Sequence, residues 1–383
     1  MRFGISFLPD VTPTTMPPSV YFDNALELAE VADKGGFHSI KMTEHYLHAY
    51  GGYCPSPLAF FAAVAARTQN VRLLTGGVLP TFHHPVQLAA ETAMIDAISH
   101  GRLDVGFARA YMPYEFAALG VPIDESRERF VATVETIVRL WTEENVCVDS
   151  PFFSIRGATS LPRPTQQPHP PVWVAASLSP ESFEWIGRKG FNLMATFVLT
   201  DRQYLKELMA IYRAALAANE AQGRGAEVVL SLPLYVAESD AQAYEEGGRY
   251  IDRYFRVWED GAKAWKQVES GAYPGYTHMA DVIRGSSLEH LQRTGSAVFG
   301  CPERVANHVR WVQEEFHVDH IIWQLDFGGM PREVSLKNLR LFIDKVMPRL
   351  SRSGADARVS REVGDVAAVA ASSFHPQRAP GVE

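Results

Sequence analysis

Eight short runs rich in Val, Ile, Leu and Phe, each followed by a longer stretch of helical period, set the narrowest limit on what this chain can fold into. They fall at 2–7, 38–43, 71–79, 102–108, 171–176, 191–196, 228–237 and 319–325. Strands alternating with helices form repeated βα units, and each crossover returns the chain so that successive strands lie parallel. Eight units make a closed α/β structure, a single (β/α)8 TIM barrel. At 383 residues two ordinary domains are conceivable, but a barrel with insertions also reaches this length as one domain.

The helices read from their faces and ends. Over 20–34, Ala25, Leu28, Ala29 and Ala32 share one side, and Gly35-Gly36 supplies the stop. Over 125–142, Phe130, Val134, Ile137, Val138 and Trp141 form an apolar stripe behind an acidic first turn. Ser179-Pro-Glu-Ser182 caps a helix at 180–189, and the last helix, 332–349, is expected to end at Met347-Pro348. Two segments interrupt the repeat. Residues 143–170 carry strand-like Val146–Val148 and Phe152–Ile155 and then prolines, an insertion after the fourth strand. Residues 240–300, with Tyr244, Tyr250, Tyr254, Phe255, Trp258 and Trp265, are expected to form helices over the barrel mouth after the seventh strand. They would act as a lid or, more plainly, as a structural cap. One domain is therefore expected over 1–350, with a disordered tail at 351–383.

Composition removes several functions. A net charge of −8 without a basic stripe argues against a nucleic-acid partner. Cys54, Cys147 and Cys301 are odd in number and widely spaced, which indicates neither a disulfide framework nor a zinc pattern. No apolar window approaches the roughly 18 to 20 residues that span a bilayer, and no signal-peptide pattern opens the chain. A cytoplasmic protein with no membrane partner is the expectation.

The chemistry-bearing residues cluster at expected strand ends. Glu44 and His45 follow the second strand in Thr43-Glu-His-Tyr-Leu-His48, at the carboxyl rim where barrels place their sites. A histidine there can exchange protons near neutral pH, although a merely hydrogen-bonded rim histidine is the plainer alternative. With His48, His83 and His84 the same region invites a metal site. The first strand, however, ends Ser6-Phe-Leu-Pro9 without a ligand pair, so no metal is assigned. The third strand contains Thr75-Gly76-Gly77, whose glycines point to a bulge, an unusual backbone state or a flat cofactor lying against the main chain. The fourth strand closes on Arg109-Ala-Tyr111. The fifth runs through Ser177 into the capped helix amino end, which presents free N–H groups. Together Arg109 and Ser177 suggest a phosphorylated cofactor.

With these residues in place, the chain resembles the bacterial luciferase-like family of flavin-dependent monooxygenases. The resemblance runs to about residue 350 through Arg2-Phe-Gly4, Gly36-Phe37, Thr43-Glu-His45, Val78-Leu-Pro80 with His84-Pro85, and Ser99-His-Gly-Arg-Leu103. It continues through Arg109-Ala-Tyr111, Glu115-Phe116, Ser126-Arg-Glu-Arg-Phe130, Ala175-Ala-Ser177 with Ser179-Pro-Glu-Ser182, and Gly300-Cys-Pro-Glu303. It implies a barrel that binds reduced FMN, or less readily F420. A C4a-hydroperoxide formed from reduced FMN and O2 would oxygenate a small organic substrate, apolar or conjugated. His45 matches the family's active-site histidine, with Glu44 beside it to orient it. Arg109 and Ser177 match phosphate positions, with Leu178, Ser179 and Ser182 completing the cradle, while Tyr111, Thr75 and Gly76 would line the cofactor. A separate NAD(P)H:flavin reductase and a homodimer are implied as partners. Ala108, Ala176 and Tyr46 depart from the luciferase residues, a reactive cysteine, a flavin-contacting glutamate and a second histidine, which puts light emission in doubt but not flavin binding. The alternatives are an F420-dependent hydride-transfer enzyme of the same fold and a non-catalytic flavoprotein subunit.

Overall fold

The computed structural model describes residues 1–198, 200–219 and 225–350; the expected tail at 351–383 lies outside the described residues. Its strands are β1 (Arg2–Phe7), β2 (Ser39–Met42), β3 (Arg72–Thr75), β4 (Leu103–Phe107), β5 (Val146–Asp149), β6 (Ser154–Ala158), β7 (Val172–Ala176), β8 (Asn192–Thr196), β9 (Val228–Val236), β10 (Val298–Gly300) and β11 (His320–Asp326). The parallel order β9-β11-β1-β2-β3-β4-β7-β8 closes through a β8–β9 pairing, so eight strands form the barrel. The β/α alternation read from the sequence is thus the architecture found. Side chains facing outward pack against the helices in one large core. Inside, Leu74, Trp173, Met194, Val229 and Ile322 meet as an apolar layer. This plug fills the lower barrel and leaves the carboxyl end to build a site.

Helices α1 (Pro18–Lys34), α2 (Pro57–Arg67) and α3 (Pro85–Ile98) follow the first three strands, each with proline in its first turn, where a missing N–H costs no intrahelical bond. After β4 come the short α4 (Pro113–Leu119) and the long α5 (Ser126–Thr142). Helices α6 (Pro180–Lys189) and α7 (Arg202–Ala217) follow β7 and β8. As the cap motif predicts, the Ser179 hydroxyl accepts from the Ser182 N–H, and Gly190 ends α6 in the left-handed region.

The insertion after β4 carries the antiparallel β5–β6 hairpin. Its return segment is tied to the bottom of the barrel by Gln166, whose side chain donates to Asp96 and the Leu103 carbonyl and accepts from Arg72. The insertion after β9 contains α8 (Asp240–Ala262), α9 (Met279–Arg284) and α10 (Leu288–Thr294). Its buried aromatics, among them Tyr254, Phe255, Trp258, Trp265 and Tyr273, form a second core with Tyr50 and Met112 of the barrel loops. The expectation of helices throughout 240–300 needs one correction. The segment ends in β10, a three-residue strand that pairs with the far end of β9 and is too short to show a period. Helix α11 (Pro302–Phe316) leads to β11, and α12 (Arg332–Leu341) follows.

Two further expectations are corrected. The third strand is not continuous over 71–79. Its ladder stops at Thr75, the Gly76–Gly77 peptide is cis, and pairing resumes at a single Val78–Phe107 bridge. The Thr75 hydroxyl fills the gap, donating to the Gly106 carbonyl and accepting from the Gly106 N–H, both at 2.7 Å. The last helix also does not stop at Met347-Pro348. A wide turn at Phe342–Val346, closed from Met347 N–H to Phe342 O, carries it on through residue 350. Pro348 lacks a donor and cannot continue a regular ladder, and a widened turn is one way a helix absorbs such a break.

Candidate active site

Above the apolar plug the inward-facing residues turn polar. Ser6, Lys41, Ser231 and Gln324 form the floor of a cavity that opens at the carboxyl ends of the strands. Its walls include Glu44, His45, Tyr50, Gly76, Arg109, Tyr111, Ser177, Tyr254, Trp258 and Tyr276. Strand ends from around the barrel and the insertion after β9 therefore meet at one place.

His45 is buried there, and its Nδ1 lies 3.0 Å from Glu115 Oε1. The same oxygen accepts the Tyr46 N–H at 2.9 Å. A carboxylate only accepts, so Nδ1 carries the proton and Nε2 is the ring nitrogen left for a reactant. The ring packs against Tyr50 and Tyr111 at centroid distances of 5.2 and 6.0 Å. Gly51 allows the loop to wrap this ring: its φ is +79°, and a Cβ there would stand 2.5 Å from His45 Cδ2. Burial pushes the Tyr50 and Tyr111 phenols well above their ordinary range, so both remain neutral donors. The Tyr111 hydroxyl also accepts from Trp258 Nε1 at 3.1 Å, linking the barrel rim to α8.

Further along the same rim, at β4 and β7, the charge is positive. Arg109 lies 4.1 Å over the Tyr273 ring and donates from Nη2 to the Ala272 carbonyl at 3.1 Å, while its Nη1 is buried without a partner. Arg127, on α5, donates to the Ser179 hydroxyl at 3.0 Å. Burial first, and the nearby Arg109 second, lower the Arg127 guanidinium below its usual value. Glu181 is the nearby acid. Ser179 donates to it at 2.6 Å, and that bond leads the causes holding its carboxyl below the usual range. Two half-buried guanidiniums, one with an orphaned donor, and Ser177 on the same cavity as Arg109 make an arrangement that fits a phosphate.

The structure gathers His45, Glu44, Gly76, Arg109, Tyr111 and Ser177 around the one cavity, and Ser182 lines the adjoining cleft that Arg109 shares. It moves three others. Thr75 is fully buried in the β3–β4 pairing and does not line the cavity. Ser179 caps α6 and reaches the anion site only through Arg127 and Glu181, and the Leu178 carbonyl accepts from the Tyr204 hydroxyl. Glu44 does not orient His45: its oxygens take the Leu79 N–H at 2.9 Å, His83 Nε2 at 2.7 Å and the Tyr46 hydroxyl. That task falls to Glu115, on an element 70 residues away in sequence. Glu115 and Arg127 stand in motifs of the family resemblance, Glu115-Phe116 and Ser126-Arg-Glu-Arg-Phe130, but nothing local to those motifs shows what either side chain contacts. Lys41 did offer a local signal, a lysine inside the otherwise apolar run Ile40-Lys41-Met42.

A barrel whose carboxyl rim presents a carboxylate-oriented histidine and a cluster of cations around one cavity has the arrangement of an enzyme active site. The chain belongs to the luciferase-like monooxygenase family, whose sequence profile matches residues 1–319, and it is an enzyme of that family. It is 30% identical over 373 residues to the oxygenase component of the flavin-dependent trigonelline monooxygenase of Acinetobacter baylyi, covering 94% of this chain and 98% of the relative. The crystal structure of the monooxygenase RslO1 from Streptomyces bottropensis superposes with a TM-score of 0.80 at 37% identity, over 91% of this chain and 99% of the other. The oxygenating constituent of 3,6-diketocamphane monooxygenase from Pseudomonas putida, a type II Baeyer–Villiger enzyme solved in complex with FMN, shares the fold. Its TM-score is 0.74 at 18% identity, over 91% and 98% of the two chains.

Proposed function

We propose that this chain is the oxygenase component of a flavin-dependent monooxygenase, fed reduced FMN by a separate NAD(P)H:flavin reductase, and that it places one atom of O2 on a small apolar or conjugated substrate. The observation that carries this reading is the buried, unpartnered Arg109 Nη1 on the same cavity as Ser177 and the His45 ring. The oxygenase role of the Acinetobacter relative and the FMN of the Pseudomonas structure support it. Reduced flavin, when bound, supplies the two electrons that leave one oxygen atom of O2 on the substrate and one in water.

The chain's own residues divide the remaining work. Arg109, Arg127 and Ser177 would hold the phosphate. Glu115 keeps the proton on Nδ1 of His45, which leaves Nε2 as the nitrogen that would exchange a proton with a bound reactant. Tyr50, Tyr111, Tyr254 and Trp258 exclude water above it, and ring contacts such as the 5.5 Å Tyr50–Trp258 stack make this wall suited to a flat or apolar substrate. A homodimer is part of this reading, to be checked by light scattering.

Parallel anaerobic titration with reduced FMN and reduced F420, followed by O2, tests the reading. Tight binding of reduced FMN and oxygen-dependent turnover are expected. Preference for F420 with oxygen-independent turnover would replace the proposal with hydride transfer, and binding of neither would remove the flavin. His45→Ala should keep FMN affinity and lose coupled oxygenation; an unchanged product yield would take His45 out of the mechanism.

A further inference from the structure

One polar row of the cavity floor has no part in the phosphate site or the His45 pair. Ser6 pairs with Lys41 across β1–β2 and with Gln324 across β1–β11, so three neighbouring strands set these side chains at one level, facing the cavity. Lys41 is a cation inside the barrel. No ion pair or hydrogen bond to it occurs among the described residues, and burial alone brings its amine down to about 8. The acid that lines the cavity, Glu44, is already committed to His83, Tyr46 and the Leu79 N–H. Gln324 Nε2 is buried and faces the Tyr254 hydroxyl without a well-formed hydrogen bond. The fold makes room for this lysine at a specific position: a Cβ on Gly76 would stand 2.2 Å from Lys41 Cγ. Holding a desolvated, unpaired cation is costly, and a bound counter-charge removes that cost.

We infer that Lys41, with Ser6 and Gln324, receives the anionic pyrimidine edge of reduced flavin and so makes the site select the reduced over the oxidised cofactor. The inference rests on the flavin reading above. The phosphate site stands on the rim of β4 and β7, and the Lys41 row stands on β2, β1 and β11, the other side of the closed barrel. A ring system extending from the first reaches the second. Its dimethylbenzene end has no acceptor to offer three donors, whereas its pyrimidine end presents carbonyl oxygens and ring nitrogens. Two-electron reduction places a negative charge over N1 and the C2 carbonyl near neutral pH; the oxidised ring has the same carbonyls without the charge. The neutral donors Ser6 and Gln324 therefore serve both states and fix orientation, and the ammonium discriminates between them. An oxygenase that receives reduced flavin by diffusion needs this discrimination, because oxidised flavin competes for the same phosphate cradle.

The test compares the wild-type protein with Lys41→Met and Lys41→Arg, measuring the Kd of reduced FMN under anaerobic conditions, the Kd of oxidised FMN by fluorescence, and the midpoint potential of the bound couple. Lys41→Met should weaken reduced FMN by about tenfold or more and change oxidised FMN by less than about twofold. That tenfold differential lowers the potential of the bound two-electron couple by ~30 mV. Lys41→Arg should restore most of the selectivity. In the absence of flavin, Lys41→Met should melt no lower than wild type, because it removes an unpaired buried charge while keeping the stem; Lys41→Gln gives the same comparison if the methionine variant does not fold. Equal loss of both redox forms would make Lys41 a structural residue, and loss of neither would overturn the inference. A raised substrate KM with intact reduced-FMN affinity would overturn it too, by assigning the amine to a substrate anion. Failure of the wild-type protein to bind either form of FMN would instead refute the proposed function.

Discussion

Replacing Glu115 by glutamine separates the two carboxylates beside His45 and tests which one governs it. Glu115 Oε1 accepts both the His45 Nδ1 proton at 3.0 Å and the Tyr46 N–H at 2.9 Å, and Oε2 is buried without a partner. A glutamine can keep both bonds through its carbonyl oxygen and place its amide where Oε2 now lies. What it loses is charge. A hydrogen bond to a charged group contributes about 1.5–3 kcal/mol and a neutral one about 0.5–1.5, so the interaction with a protonated His45 weakens by roughly 1–1.5 kcal/mol, about tenfold in a rate that depends on it. The assay mixes enzyme loaded anaerobically with reduced FMN against O2 in a stopped flow and follows flavin reoxidation together with hydrogen peroxide release. Glu115→Gln should change the peroxide-release rate about tenfold, with reduced-FMN affinity within about twofold and little loss of stability. Glu115→Ala should in addition lose about 2–4 kcal/mol, because two buried donors are left without an acceptor. Peroxide kinetics in a folded Glu115→Gln enzyme that match the wild type would refute the pairing as the source of His45 control. A tenfold effect from Glu44→Gln in place of Glu115→Gln would restore the adjacent acid to that role.

Arg109→Met and Arg127→Met should each weaken reduced FMN by roughly 10- to 100-fold while leaving the affinity for reduced riboflavin, which lacks the phosphate, within a few fold; equal losses for both ligands would move the phosphate elsewhere. Gly51→Ala places a Cβ against the His45 ring at a positive φ, so a cost of about 1–3 kcal/mol in urea unfolding and a loss of oxygenation are expected, and wild-type values for both would show that the loop does not hold the ring. His38 and His320 pack edge to face with centroids 5.2 Å apart at the base of the barrel, and burial, ahead of charge repulsion, lowers both, His38 to about 4. Their folded-state values lie below the unfolded value of about 6.5, so the unfolded chain takes up protons first on acidification. The stability they contribute is present above that value and is lost as pH falls from there toward 4. His320→Gln should therefore flatten the fall in unfolding free energy between pH 6.5 and 4; an unchanged slope would mean that the ring is protonated in the folded state.

Much of the fold was legible because its signals are short-range. The apolar runs of β1, β2, β4, β7 and β8 stand within a residue of where the hydrophobic pattern puts them, and the α6 cap lies at Ser179 as its motif requires. The runs mark the strand ends, and a parallel barrel points every strand the same way, so His45, Arg109 and Ser177 could be placed on one rim from their positions alone. Period fails where an element is very short, as in β10, or where backbone geometry overrides it, as at Gly76-Gly77.

The sequence by itself determined the barrel, its two insertions and the rim positions of the histidine and arginine, since each follows from residues close together in the chain. Tertiary structure alone decided the partnerships. Adjacency suggested Glu44 for His45, yet the loop turns Glu44 toward His83, and α4 brings Glu115 to the ring. Arg127 joins the anion site across 52 residues, and Lys41, Ser6 and Gln324 share a level only because β11 returns beside β1. Hydrogen bonds and charge act through space over a few ångströms, and the closed sheet, not the order of residues, determines which groups come within that reach.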